Sequence, residues 1–165
     1  MPFPRYSNQR IKMPNIKKVE IQAKTIKGLQ VRTKNADEMN PDTQKIAPLW
    51  GRFFSEIMPT LEPSPPPLYG VYFGYESDAF GVYDLLVGSD VLEEDDNFKS
   101  VSIKAGTYLV FPARGELPQS IIDTWKQVWA YFDDPSIDER RAYETDFELY
   151  KTSTEAEIFI GVHYF

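Results

Sequence analysis

The chain contains no cysteine and a single histidine, His163, in 165 residues. Without cysteine there is no disulfide framework and no thiolate nucleophile, and one imidazole cannot form a histidine-rich metal site. His163 also has no serine or aspartate partner at a spacing that suggests a hydrolytic triad. Positive charge is scarce: 18 Lys and Arg stand against 25 Asp and Glu, a formal net charge of -7. Such a chain repels phosphate backbones at long range and draws cations, so direct nucleic-acid binding is not expected. No window approaches the roughly 18 apolar residues of a membrane span, and residues 1–10 lack the apolar stretch of a secretion signal. Gly70, Gly74, Gly81 and Gly88 fit no phosphate-cradling fingerprint, and the acidic run at residues 93–96 lacks calcium-loop spacing. These absences predict a cytoplasmic protein with no membrane association, no cofactor and no metal.

Aromatic residues, in contrast, are abundant. Three Trp, ten Tyr and eleven Phe make up 15% of the chain. Most rings serve packing, but a buried tyrosine hydroxyl needs a hydrogen-bond partner, and ten tyrosines imply that some face a partly wet surface or cavity.

The pattern of the chain is a repeat. Residues 46–57, Ile-Ala-Pro-Leu-Trp-Gly-Arg-Phe-Phe-Ser-Glu-Ile, align without a gap on residues 121–132, Ile-Ile-Asp-Thr-Trp-Lys-Gln-Val-Trp-Ala-Tyr-Phe. Each is an amphipathic helix pivoting on a tryptophan, Trp50 in one and Trp125 in the other. Strand-like segments follow, and Tyr69-Gly70-Val71-Tyr72 matches Phe147-Glu148-Leu149-Tyr150, so Glu148 stands where its twin is Gly70.

Around these anchors, residues 1–15 read as a flexible basic arm punctuated by Pro2, Pro4 and Pro14. Residues 19–33 read as one long strand or a bent pair, with Gly28 at a bend or bulge. Asp42 or Thr43 is the expected cap of the first helix, which should begin between Lys45 and Ala47 because Pro48 has no N–H to donate. Residues 63–67 form a stiff proline connector, and residues 68–75 and 80–87 a hairpin. The second copy runs as a strand over 99–111 with a bulge at Gly106, a helix over 119–132, and strands over 143–151 and 157–164. The prediction is a single α+β domain over residues 16–165. It consists of two β-α-β-β units, about 16–90 and 98–165, related by a pseudo-twofold axis, with two helices flanking a cleft on one curved antiparallel sheet.

Side chains alternate along a strand, so Glu148 and Tyr150 share one face, as do Gly70 and Tyr72. If that face lies under the helices, Glu148 sits beneath Trp50, Phe54, Trp125 and Trp129. An unpaired buried carboxylate costs several kcal/mol, so it requires a partner, and a ligand cation ringed by aromatics would serve. Periodicity leaves open the inverse, in which Glu148 faces solvent or pairs with Arg52, Lys126, Arg140 or Arg141.

Several segments together resemble the GyrI-like effector-binding domains: the duplicated layout, Leu49-Trp50-Gly51-Arg52-Phe53, Leu68-Tyr69-Gly70-Val71-Tyr72, Phe147-Glu148-Leu149-Tyr150 and the closing strand at 157–162. That family includes the ligand modules of AraC-type and MerR-type activators, gyrase-inhibitor-like proteins and cationic-drug-binding modules of integron cassettes. The likeness spans about residues 16–164, and departs from the family's frequent terminal-strand proline at Gly161. It implies a freestanding binding module for lipophilic organic cations, acting as sensor, sequestering protein or adaptor. Glu148 would be the counter-charge on the cleft floor, with Trp50, Phe54, Trp125 and Trp129 joined by Tyr72, Tyr83, Tyr108 and Tyr150 as ligand contacts. Some relatives instead hydrolyse strained electrophiles with a carboxylate and a tyrosine, and others act as protein-interaction modules such as gyrase inhibitors or transcription co-regulators. Residues 1–16 are too short for a helix-turn-helix, so DNA contact is expected only through a partner protein.

Overall fold

The computed structural model describes residues 15–61 and 66–164; the basic arm and the start of the proline connector lie outside them. Eight strands form one antiparallel sheet. In chain order these are β1 (Lys17–Ile21), β2 (Lys24–Thr33), β3 (Leu68–Phe73), β4 (Tyr83–Ser89), β5 (Lys99–Ile103), β6 (Gly106–Arg114), β7 (Glu139–Thr152) and β8 (Glu155–Tyr164). A short helix α1 (Asn35–Glu38) and α2 (Ile46–Arg52) lie between β2 and β3, and α3 (Gln119–Phe132) lies between β6 and β7. None of the helices among the described residues is long and apolar enough to cross a membrane.

The strand order is β1-β6-β8-β7-β3-β4-β2-β5. Exchanging β1 with β5, β2 with β6, β3 with β7 and β4 with β8 returns the same order read backwards, which is the twofold expected from the repeat. Each unit is β-β-α-β-β rather than β-α-β-β, because both long leading segments break in two. Residues 19–33 become β1 and β2, and residues 99–111 become β5 and β6. The break lets the leading strand of each unit pair with the other unit: β1 runs beside β6 and β5 beside β2. The bend expected at Gly28 is a close backbone approach. Gly28 faces Gly88 across β2 and β4, and a Cβ on Gly28 would fall 1.9 Å from the Val87 carbonyl oxygen.

The two sheet faces are covered differently. Behind the sheet, Ile26, Leu86, Ile103, Tyr108, Val110, Phe147 and Phe159 pack with Tyr69 and Val71, and Val19 and Ile21 of β1 close against them. Every strand contributes, so this face curls onto itself and needs no helix to cover it. On the front, α3 packs over Leu109, Phe111, Ile158 and Ile160 through Ile121 and Val128, while α2 and the turn after it pack over Leu29, Leu85 and Val87 through Leu49 and Phe53.

The helices differ in form. α3 is 14 residues of unbroken α-helix. α2 ends at Arg52, passes into a π-helical turn at Phe53–Ile57 and then a 3-10 turn at Met58–Leu61. Pro59 accounts for the change, since it donates no N–H and its ring clashes with the carbonyl four residues back. The wider turn keeps both Phe53 and Ile57 buried. The cap of α2 is neither Asp42 nor Thr43: Glu38 of α1 reaches across and accepts from the N–H groups of Lys45 at 2.9 Å and Ile46 at 3.0 Å. A carboxylate at the positive end of a helix satisfies two of its orphan donors.

Candidate functional site

The central strands β3 and β7 pair in a register that sets Gly70 opposite Glu148, Leu68 opposite Tyr150 and Tyr72 opposite Asp146. Since Gly70 and Glu148 are equivalent in the repeat, the pseudo-twofold axis passes between them. Glu148 is 3% exposed and lies on the helix side of the sheet. Its twin being glycine is a steric requirement, for a Cβ on Gly70 would stand 2.8 Å from Glu148 Oε1 and 3.5 Å from the Trp50 ring.

Three neutral donors hold the carboxylate. Trp125 Nε1 donates to Oε2 at 2.6 Å, Tyr72 to Oε2 at 2.9 Å and Tyr150 to Oε1 at 2.7 Å. Burial pushes the Glu148 carboxyl above its usual range, and the hydrogen bonds from Trp125, Tyr150 and Tyr72 oppose the shift. Burial, reinforced by the neighbouring negative charge, raises the Tyr72 and Tyr150 hydroxyls well above the ordinary tyrosine value, so both remain donors. None of the basic residues considered as partners pairs with Glu148 among the described residues: Arg52 pairs with Glu56, and Arg141 with Asp146.

The rings around Glu148 repeat the twofold. Trp50 of α2 meets Tyr150 of the second unit edge-on at 5.1 Å and 77°, and Trp125 of α3 meets Tyr72 of the first at 5.2 Å and 70°. Phe54 stacks on Trp50 at 5.7 Å, and Trp129 lies against Trp125 at 6.3 Å. Each helix thus presents a pair of rings one turn apart, the outer members Phe54 and Trp129 remaining 52% and 40% exposed. Between the helices lies a cleft of about 1170 Å³ with Glu148 on its floor. Its volume exceeds the roughly 300–1,000 Å³ usual for a small-molecule site, and its largely aromatic and apolar lining with a few charged groups is typical of such sites.

A family model for integron-associated effector binding proteins matches residues 18–162. The chain belongs to this effector-binding family. An integron cassette protein from the mobile metagenome of Vibrio cholerae is similar at 40% identity, with a TM-score of 0.82 over 90% of this chain and 95% of that one. The effector-binding fold recurs at lower identity in SAV2435, solved bound to tetraphenylphosphonium, at 18% identity and a TM-score of 0.69, covering 90% of this chain and 93% of that one. It recurs again in a chain of the EcmrR–DNA complex, at 15% identity and a TM-score of 0.58, covering 99% of this chain and 62% of that one. No curated protein matches significantly.

Within this effector-binding domain, Trp50, Phe54, Tyr72, Tyr83, Trp125, Trp129, Glu148 and Tyr150 all line the cleft. Tyr83 does so with its hydroxyl fixed to Asn35 Oδ1 at 2.8 Å. Tyr108 does not: it belongs to the core behind the sheet, donates to the Lys104 carbonyl at 2.6 Å and lies 2.7 Å from the Thr145 hydroxyl. Because β6 begins at Gly106, Leu109 and Phe111 face α3 and Tyr108 and Val110 face away. Sequence reasoning did not name Tyr75, and weighed Arg141 only as a partner for Glu148; both line the cleft. Arg141 carries no regular strand signal, because an irregularity in β7 between Arg141 and Asp146 changes which face it joins.

Proposed function

We propose that the protein is a non-enzymatic binding module for lipophilic organic cations, with Glu148 as the counter-charge and the Trp50 and Trp125 ring pairs as walls. One observation carries the reading: a buried carboxylate on the floor of an aromatic cleft is held only by neutral donors among its described partners. Three hydrogen bonds compensate part of the desolvation of a carboxylate but do not supply opposite charge. A cation entering the cleft supplies it, and each ring it faces adds about 0.5–2 kcal/mol once water is displaced. The tetraphenylphosphonium held by SAV2435, a protein of the same fold, supports this ligand class. The net charge of -7 assists encounter at long range.

Hydrolysis is the weaker reading. Tyr72, Trp125 and Tyr150 occupy three of the roughly four acceptor positions of the carboxylate, leaving little of it to activate a water.

The test is calorimetric titration of wild type and Glu148→Gln with tetraphenylphosphonium, alongside neutral triphenylphosphine oxide. The cation should lose affinity by well over about tenfold in the variant, while the neutral compound changes little. Equal cation affinity in both proteins overturns the assignment.

A further inference from the structure

Near its start, β7 departs from regular pairing with β8. Arg141 sits opposite Val162 and Asp146 opposite Ile160, so five steps on one strand are spanned by two on the other. The extra residues reverse the alternation, and odd-numbered Arg141 joins the cleft with even-numbered Glu148 instead of the rear core with Phe147. Tyr143, inside the irregular stretch, has a φ of 53°, a strained conformation for a bulky residue, and its ring lies 4.4 Å from the Arg141 guanidinium.

The Arg141 side chain is 6% exposed. Its Nη2 donates to Asp146 Oδ2 at 2.7 Å, and the same oxygen accepts from the Tyr75 hydroxyl at 2.5 Å, while Asp146 Oδ1 accepts from the Gly161 N–H at 2.8 Å. Asp146 therefore both neutralises and orients the guanidinium. The Nε–H, however, is buried without an acceptor in the protein. Leaving a buried charged donor unmade is expensive, and an unpartnered donor on a residue that lines a ligand cleft, with its Nη2 already held by Asp146, is suited to an acceptor that arrives with the ligand. The wall from Glu148 to this point is continuous, Tyr72 packing on Tyr83 at 5.5 Å and Tyr83 on Tyr75 at 6.1 Å.

We infer that Arg141 forms a second subsite, whose Nε–H donates to a neutral oxygen of the ligand. This rests on the cation-binding reading and deepens it: the preferred ligand is a lipophilic cation carrying a carbonyl, ester or amide oxygen on one arm. A carboxylate is disfavoured there, because Asp146 already balances Arg141 and Glu148 stands two residues further along the strand, roughly 7 Å away.

The experiment uses paired phosphonium probes, a triphenylphosphonium joined through linkers of increasing length to an aryl ketone, each with a twin in which the carbonyl is a methylene. At the fitting length the ketone should bind wild type about tenfold tighter than its twin, and Arg141→Lys, which keeps the charge facing Asp146, should abolish that advantage. The Nε–H NMR signal of Arg141 in wild type should move with the ketone and not with the twin, a readout that stands if the variant fails to fold. Equal binding at every length, as when water alone meets the Nε–H, overturns the subsite. A ketone advantage that survives Arg141→Lys assigns the acceptor to another donor and overturns it too. If neither probe of a pair binds, the cation-binding reading itself fails.

Discussion

The two halves of the domain answer to one pattern, and two of their differences bear directly on the cleft. Trp50 against Tyr150 and Trp125 against Tyr72 are the same edge-on contact generated twice, at 5.1 and 5.2 Å. The helices bearing those tryptophans differ, however: the second is a continuous α-helix, and the first gives way after Arg52 to wider and tighter turns. The strands beneath carry Gly70 in one unit and Glu148 in the other. Contact geometry survives the divergence of the halves, while charge and helix regularity are where they have specialised. Shape in this cleft is shared between the repeats, and polarity belongs to one of them.

The sharpest way to break the comparison is to exchange the odd pair. Glu148→Gly alone should weaken tetraphenylphosphonium by about a hundredfold or more, since it leaves the cation without its counter-charge. Adding Gly70→Glu should recover all but about tenfold of that loss, because the twofold offers the new carboxylate Trp50, Tyr150 and Tyr72 in place of Trp125, Tyr72 and Tyr150. Calorimetry decides it, and a double variant no better than the single one would show that the donors are not equivalent.

A second, intermediate effect is pH. The folded Glu148 carboxyl titrates above its usual range because it is buried. A permanent cation favours the ionised form, so below that raised value each binding event expels a proton. Affinity should climb with pH by up to about tenfold per unit and level off once Glu148 is ionised. Unliganded stability should move oppositely, the contribution of Glu148 being present at low pH and lost as pH rises from the unfolded carboxylate range through the folded one. Tetraphenylphosphonium titrations and ligand-free melting curves across pH would check both slopes, and a flat affinity profile would break the link between Glu148 and the ligand.

The smallest effect concerns the irregular helix. Gly51 is exposed within α2, and a Cβ there would meet nothing within 4 Å. Gly51→Ala should therefore stabilise the first helix by about 0.5–1 kcal/mol and raise Tm by about 1–4 °C. A lowered Tm would mean that the π-helical turn after it depends on the glycine.

Much of the site was legible in the sequence because the two helix segments align on each other without a gap, and so, separately, do the two central-strand segments. Matching Trp50 to Trp125 and Gly70 to Glu148 puts the odd carboxylate near the seam of the repeat, and the strand register places it on the axis. What escaped depended on strand phase. Tyr108 was assigned to the cleft, but the turn at residues 104–105 restarts the alternation at Gly106 and sends that ring behind the sheet. Arg141 was weighed only as a partner for Glu148, since nothing local announces the irregularity that brings it into the cleft beside Asp146. The Glu38 cap of α2 was hidden for a related reason: it comes from a separate short helix, at a distance in sequence that capping patterns do not cover.

The register of Gly70 opposite Glu148 also bears on ancestry. A dimer of identical half-length chains, closed by a true twofold, must bring its axial residues in equal pairs: two carboxylates in contact, or none. Two facing carboxylates repel, and one of them would take up a proton. Only after two copies share one chain can a mutation fall on a single side of the axis. The lone negative charge at the centre of this cleft is thus a property that duplication made available and that no symmetric predecessor could have possessed.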